Sequence, residues 1–208
     1  MEGSTMGTGN TSDAKLARIE HLIHDVPGDL AEIGVNRGAT FHRLVKMGAR
    51  RRTDCVVHAF DSFEGMNAPT ELDDGKQYPE GRFAVGGTRG FHKLMEGYGV
   101  ARGEYTLWPG YVPDCFAGAF HLRFAFAYLD LDTYTPTVAS LVWLWPKINP
   151  GGVLMLDDYA DPDDARPNSG RAEQASNEWL EKVPNAERLE NENGQLIVRK
   201  IPGIGDST

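Results

Sequence analysis

Five times along this chain a short apolar run is followed by a stretch whose apolar residues recur every three or four positions. Strand and helix patterns that alternate in this way are the mark of a parallel α/β sheet. The spacing predicts a first helix from Ser12, with Leu16, Ile19, Ile23 and Val26 on one face and Pro27-Gly28 as its stop. Asp29–Val35 reads as a strand, Arg37–Gly48 as a helix and Cys55–Asp61 as a second strand. Thr88–Tyr98 reads as a helix and Glu104–Trp108 as a strand. Arg123–Asp132 is the most apolar run and is expected to be buried on both faces. Pro136–Ile148 follows as a helix with Val138, Leu141, Val142 and Trp145 facing inward. Pro136 falls in its first turn, where a missing N–H costs nothing. Gly151–Asp157 is a further strand and Arg171–Val183 a further helix. Glu187–Glu190 and Gln195–Lys200 close the order as a hairpin around Asn193-Gly194.

A chain of 208 residues suits one domain. It is placed at residues 12–202, with tails at 1–11 and 203–208. Inside it, Ser62–Gly87 is irregular and polar, with Pro69, Pro79, five glycines and the acidic run Glu71, Asp73, Asp74. A loop this long inside a domain is usually functional, and here it reads as a lid. Asp161–Gly170 reads as a second polar loop.

Composition removes several function classes. The net charge of −9 and a pI near 5.1 work against nucleic-acid binding, which needs a basic surface. Arg50, Arg51 and Arg52 read as a solvated helix end. The longest apolar runs fall well short of the roughly 18 residues of a membrane span. Cys55 and Cys115 are too few for a disulfide framework, and Met1–Thr11 has no apolar leader. Both observations point to a reducing, cytoplasmic setting.

Chemistry is expected at the carboxyl ends of the strands, where open α/β sheets bind ligands. The first strand ends in Glu32-Ile33-Gly34-Val35-Asn36-Arg37-Gly38. This is neither the G-x-G-x-x-G of dinucleotide binders nor a phosphate-binding loop. Glu32 suits a ligand carrying an ammonium or a hydroxyl, although structural glycines alone would also explain the turn. Asp61 ends the second strand, where a carboxylate can accept both hydroxyls of a ribose; a helix N-cap is the plainer reading. Trp108-Pro109-Gly110-Tyr111 follows a strand at the same edge and could stack on adenine. The strongest signal is Leu129-Asp130-Leu131-Asp132 with Leu156-Asp157-Asp158-Tyr159. On neighbouring strands about 4.8 Å apart, four carboxylates would crowd one edge and repel unless a cation or a proton relieves them. Oxygen-only ligands of this kind suit Mg²⁺, Mn²⁺ or Ca²⁺ rather than zinc. None of the six histidines sits in an H-x-H or H-E-x-x-H pattern.

These blocks also carry a resemblance. Gly28-Asp29-Leu30-Ala31-Glu32-Ile33-Gly34-Val35 with Arg37-Gly38, Phe60-Asp61-Ser62-Phe63-Glu64-Gly65, Leu129 to Tyr134, and Pro150-Gly151-Gly152 leading to Asp157-Asp158-Tyr159 together resemble the macrocin O-methyltransferase family. The resemblance implies a Rossmann-like class I fold: a seven-stranded, mostly parallel sheet in the order 3-2-1-4-5-7-6 with helices on both faces. It implies S-adenosylmethionine as cofactor, bound around Glu32, Gly34, Arg37, Gly38, Thr40, Asp61, Ser62, Gly110, Tyr111 and Asp130. It implies Mg²⁺ or another divalent cation on Asp130, Asp157 and Asp158, with Asp132 as general base. The expected reaction is methyl transfer to a hydroxyl of a small molecule, a sugar or glycoside of a natural-product pathway, by a homodimer. A catechol-like acceptor, a non-catalytic adenosyl-binding module and, more distantly, a nicotinamide dehydrogenase stand as competing readings.

Overall fold

In the computed structural model, which describes residues 11–51, 54–72, 75–159, 171–192 and 194–203, the alternation resolves into one twisted sheet. Helix α1 (Asp13–Leu22) leads into β1 (Asp29–Ile33), α2 (Phe41–Arg50), β2 (Val57–Asp61), α3 (Gly87–Gly97) and β3 (Thr106–Pro109). Then come β4 (Phe124–Leu129), α4 (Tyr134–Leu144), β5 (Ile148–Leu156), α5 (Ala172–Leu180), β6 (Ala186–Glu192) and β7 (Gln195–Lys200). The seven strands lie in the order β3-β2-β1-β4-β5-β7-β6, parallel except where β7 pairs with β5 and β6. This is the order that the resemblance implied.

Period-2 alternation sends each strand's residues to two separate cores. Leu30, Phe126, Tyr128, Met155 and Ile197 pack on one side with Leu16 and Ile19 of α1, Phe41 and Leu44 of α2, and Phe91 and Met95 of α3. Ala31, Ile33, Phe60, Ala127 and Leu154 pack on the other side with Leu141 and Leu144 of α4 and Trp179 of α5. Phe124–Leu129 is buried along its whole length, as its unbroken apolar run requires. Among the described residues no helix is long and apolar enough to cross a membrane.

Local chemistry sets the helix ends. The Ser12 side chain accepts from the Lys15 amide at 3.1 Å and starts α1. α1 stops short of Val26, because the Arg51 guanidinium donates to the Ile23 and Val26 carbonyls and holds that turn out of the helix. Arg51 is therefore a capping residue rather than a solvated charge; Arg52 lies outside the described residues.

The inward stripe of α4 differs from the sequence reading. Thr137, Ser140, Leu141 and Leu144 are buried, whereas Val142 is 67% exposed. One residue along a helix turns about 100°, so a stripe centred on 137, 141 and 144 carries 142 outward. Trp145 is buried as expected, but in a 3-10 turn, Trp145–Lys147, that follows the helix. Strand β5 begins earlier than Gly151, at Ile148, with an irregularity in its pairing to β4 before Val153. In the closing hairpin Glu192 pairs with Gln195. Asn193 itself, residues 160–170 and residues 1–10 lie outside the described residues.

Candidate functional site

Strand order reverses between β1 and β4, and hydrogen bonding runs one residue past each strand there. The Gly34 amide donates to the Phe60 carbonyl, the Asp130 amide to the Ile33 carbonyl and the Asp157 amide to the Leu129 carbonyl, each at 2.9 Å. The Gly110 amide donates to the Asp61 carbonyl at 3.0 Å. The residues singled out in the sequence thus form one row at the carboxyl edge, where α/β sheets take their ligands. Gly34 is required for the closeness of this row. It has φ +83°, and a Cβ there would fall 1.8 Å from the Asp130 carbonyl oxygen.

Asp130, Asp132 and Asp158 each bring a carboxylate oxygen within 4.8 Å of the others. Asp157 stands beside them with a different set of partners: its Oδ1 accepts from Gln195 Nε2 at 2.8 Å, and it also hydrogen-bonds the Tyr128 hydroxyl. Burial and mutual repulsion raise the whole group. Burial and then Asp157 and Asp132 push the Asp130 carboxyl well above the carboxylate range. Burial and then Asp158 push Asp132 up to about 8 and Asp157 to about 7. Asp132 and Asp158 hydrogen-bond each other, so a proton is shared between them. Arg82, from the long loop, pulls Asp132 the other way. Both Asp132 (φ +59°) and Asp158 (φ +51°) adopt the left-handed backbone. Aspartate tolerates that region better than most residues, and such strain collects at functional sites. Hard carboxylate oxygens crowded to this degree fit a divalent cation, which would replace the shared proton and relieve the repulsion.

Glu32 supplies the second distinctive feature. It is 2% exposed, and its Oε2 has no hydrogen-bond partner among the described residues. Burial, with Asp61 and Asp157 adding repulsion, raises its carboxyl well above the ordinary range. A buried acceptor of this kind is costly unless a donor arrives to satisfy it. An amino-acid ammonium is such a donor, so the site fits a cofactor that carries one.

Other expected contacts take different forms. Asp61 already accepts from three backbone amides: Val35 at 2.8 Å, Asn36 at 3.2 Å and Phe63 at 2.6 Å. Its first duty is to bracket the turn after β1 against β2. The Ser62 side chain also hydrogen-bonds Asp61, so with about four lone-pair positions on an ionised carboxylate a ribose hydroxyl would have to share one of them. Ser62 Oγ donates to the Gly65 carbonyl at 2.7 Å and accepts from the Glu64 amide at 3.1 Å, which makes it a turn residue. Thr40 and Gly38 are buried at the start of α2, and Arg37 is exposed in a hollow beside Gly90 and Lys93. Tyr111 is 41% exposed next to Gly110. Trp108 is not a free platform: its ring stacks on Phe60 at 5.7 Å, and its Nε1 donates to His58 at 3.1 Å. Of that segment, Tyr111 is the ring left to meet an adenine.

The Ser62–Gly87 loop is cross-tied. The Met66 amide donates to the Arg82 carbonyl at 2.9 Å, the Gly81 amide to the Met66 carbonyl at 2.8 Å, and Tyr78 is buried. Asp73 and Asp74 of its acidic run lie outside the described residues.

Sequence reasoning missed Gln195, Tyr128 and Lys15, which reach the carboxylates from β7, β4 and α1. Lys15 is only 7% exposed and lies one turn before Ile19 on the buried face of α1. A lysine on that stripe was the available signal. Gln195 heads the apolar run of β7 and carried no such mark.

Residues 4–182 match the family described as Macrocin-O-methyltransferase (TylF). The 8-demethyl-8-(2,3-dimethoxy-alpha-L-rhamnosyl)-tetracenomycin-C 4'-O-methyltransferase of Streptomyces olivaceus is 36% identical over 151 residues, 68% of this chain and 57% of that protein. The Mycinamicin III 3''-O-methyltransferase of Micromonospora griseorubida is 30% identical over 154 residues, 69% of this chain and 60% of that protein. The chain thus spans about three fifths of these relatives. Among solved structures the O-methyltransferase NovP superposes with a TM-score of 0.72 at 24% identity, covering 90% of this chain and 80% of that one. TomG from Streptomyces achromogenes, solved in complex with SAM, gives 0.57 at 13% identity, covering 93% and 82%.

Proposed function

We propose that this chain, which belongs to the macrocin-O-methyltransferase family, transfers a methyl group from S-adenosylmethionine to a hydroxyl of a small glycoside with the help of a divalent cation. The observation that carries the reading is the row of aspartates at the ends of β4 and β5, set one carbonyl away from the Gly34 turn. The names of the two curated relatives, which act on glycosylated natural products, support the acceptor class.

S-adenosylmethionine, when bound, supplies an activated sulfonium methyl, so positioning accounts for most of what the protein must do. A divalent cation, when bound, supplies Lewis-acid polarisation that lowers the pKa of an acceptor hydroxyl. Glu32 receives the cofactor's ammonium on Oε2, which converts a buried orphan acceptor into an ion pair. Asp61 fixes the Val35–Asn36 turn through its amide contacts and stands where it would meet the ribose. Gly34 lets the chain pass close to Asp130. Asp130, Asp157 and Asp158 would hold the cation. Asp132, raised to about 8 and hydrogen-bonded to Asp158, would take the acceptor's proton as general base. Arg82 faces Asp132 from the long loop, which supports a covering role for that loop.

The test is calorimetric titration of S-adenosylhomocysteine with Mg²⁺ and with EDTA, then methyl transfer to rhamnosyl glycosides and to catechols. Binding in both conditions, with turnover of glycosides that EDTA stops, is the expected result. An absence of binding in either condition would remove the reading, and turnover unaffected by EDTA would remove the cation.

A further inference from the structure

Behind Asp157 lies a chain of hydrogen bonds that runs away from the acceptor side. Gln195 is 5% exposed, and its carbonyl oxygen and both of its N–H groups are engaged. Its Oε1 accepts from Lys15 Nζ at 3.0 Å. Its Nε2 donates to the Tyr128 hydroxyl at 3.1 Å and to Asp157 Oδ1 at 2.8 Å. Lysine can only donate, so Lys15 fixes which end of the amide faces it and turns the two N–H groups toward Tyr128 and Asp157. The Tyr128 hydroxyl in turn hydrogen-bonds Asp157. Lys15 also lies 3.9 Å from Glu190 on β6. Strand β4 and the closing hairpin thus both hydrogen-bond Asp157, and helix α1 holds the hairpin's amide from behind.

We propose that Gln195 is a positioning residue that presents Asp157 to a divalent cation, with Lys15 as the clamp that orients its amide. This rests on the metal-assisted reading given above. The physical reason is directional. With Oδ1 held by Gln195 and the carboxylate also bonded to the Tyr128 hydroxyl, its rotation is restricted and its orientation is set before a cation arrives. A ligand set already in place binds a cation without first paying to order itself. A cation lysine beneath four carboxylates also offsets part of their repulsion, and the amide carries that polarisation to Asp157. Structural economy does not explain the arrangement: an apolar residue at 195, with a leucine at 15, would fill the same space at no desolvation cost.

The experiment is a Mn²⁺ titration read by the electron paramagnetic resonance of free Mn²⁺, on the wild type, Gln195→Met, Lys15→Met and Tyr128→Phe. S-adenosylhomocysteine affinity in EDTA serves as the fold control. Gln195→Met is expected to weaken Mn²⁺ binding by about tenfold or more, the usual cost of losing an outer-shell partner, with Lys15→Met and Tyr128→Phe showing smaller losses. Cofactor affinity in EDTA should stay at the wild-type value, and turnover should recover when Mn²⁺ saturates. Should Gln195→Met fail to fold, Tyr128→Phe, which deletes a single oxygen, carries the test. Wild-type Mn²⁺ affinity in the folded variants would overturn the positioning role and leave the metal reading standing. A wild type that binds no Mn²⁺ would overturn both.

Discussion

Replacing Asp132 by Asn should leave the protein without turnover at any pH, yet make the metal-free form more stable at alkaline pH. The folded chain pushes this carboxyl from 3.8 to about 8. When the folded state holds a proton more tightly than the unfolded state, the unfolded state sheds it first as pH rises. Stability then falls with pH, beginning near 3.8 and ending above about 8. At about 1.4 kcal/mol for each tenfold change in affinity, an isolated group would cost roughly 6 kcal/mol over that window. Asp132 shares its proton with Asp158, so part of the cost belongs to the pair. Exchange of one such buried charge for a neutral isostere recovers about 1–4 kcal/mol. Asparagine also tolerates the φ of +59° at this position, so backbone strain does not confound the comparison. At about 2–4 °C per kcal/mol for a chain of this size, Tm in EDTA should rise by roughly 2–16 °C near pH 8.5. The gain should shrink toward zero as the pH approaches about 4. Scanning calorimetry across that range, beside a single-turnover methyl-transfer assay, measures both halves. If the Tm–pH curves of variant and wild type run parallel, the electrostatic account is wrong.

Three further changes separate the parts of the site. Gly34→Ala combines a left-handed backbone with a Cβ 1.8 Å from the Asp130 oxygen; denaturant unfolding should show a loss of about 2–5 kcal/mol, and a loss below ~0.5 kcal/mol would show that the turn can move. Asp61→Asn keeps the size but turns one acceptor of the Val35, Asn36 and Phe63 amides into a donor; cost should be about 1–3 kcal/mol, with weaker S-adenosylhomocysteine binding by calorimetry, and unchanged affinity would disconnect the bracket from the cofactor. Arg51→Ala removes the donor to the Ile23 and Val26 carbonyls; stability should drop by about 1–2 kcal/mol with cofactor affinity intact, and a large affinity loss would mean that the α1 turn shapes the site.

The alternating pattern was enough to locate the strands and helices, because each signal is local: an apolar run, a 3.6 period, a proline or a glycine at an end. The strand order was not local information and came from the resemblance. The four aspartates were legible since each closes an apolar run, and parallel pairing of β4 with β5 makes their ends neighbours. What stayed hidden depends on orientation or on distant partners. Val142 turned outward because one residue of helical phase decides its face. Trp108 looked available until β2 placed Phe60 and His58 against it. Asp61 read as a ribose ligand or a cap, and the structure gives it the bracketing of another strand's turn. Lys15 and Gln195 stand 180 positions apart and meet only when the sheet is complete.

The left-handed backbone at Asp132 and Asp158 also narrows the routes by which this site can decay. Most side chains at either position would cost about 1–2 kcal/mol before any chemistry is considered. Asparagine and glycine escape that charge, and neither can accept a proton or balance a cation. A copy released from selection at this edge would therefore drift toward Asn or Gly at 132 and 158 while keeping its sheet and its Gly34 turn. Among relatives with this fold, Asn or Gly at those two positions would mark an edge that has lost carboxylates, with the backbone itself deciding which letters can appear there.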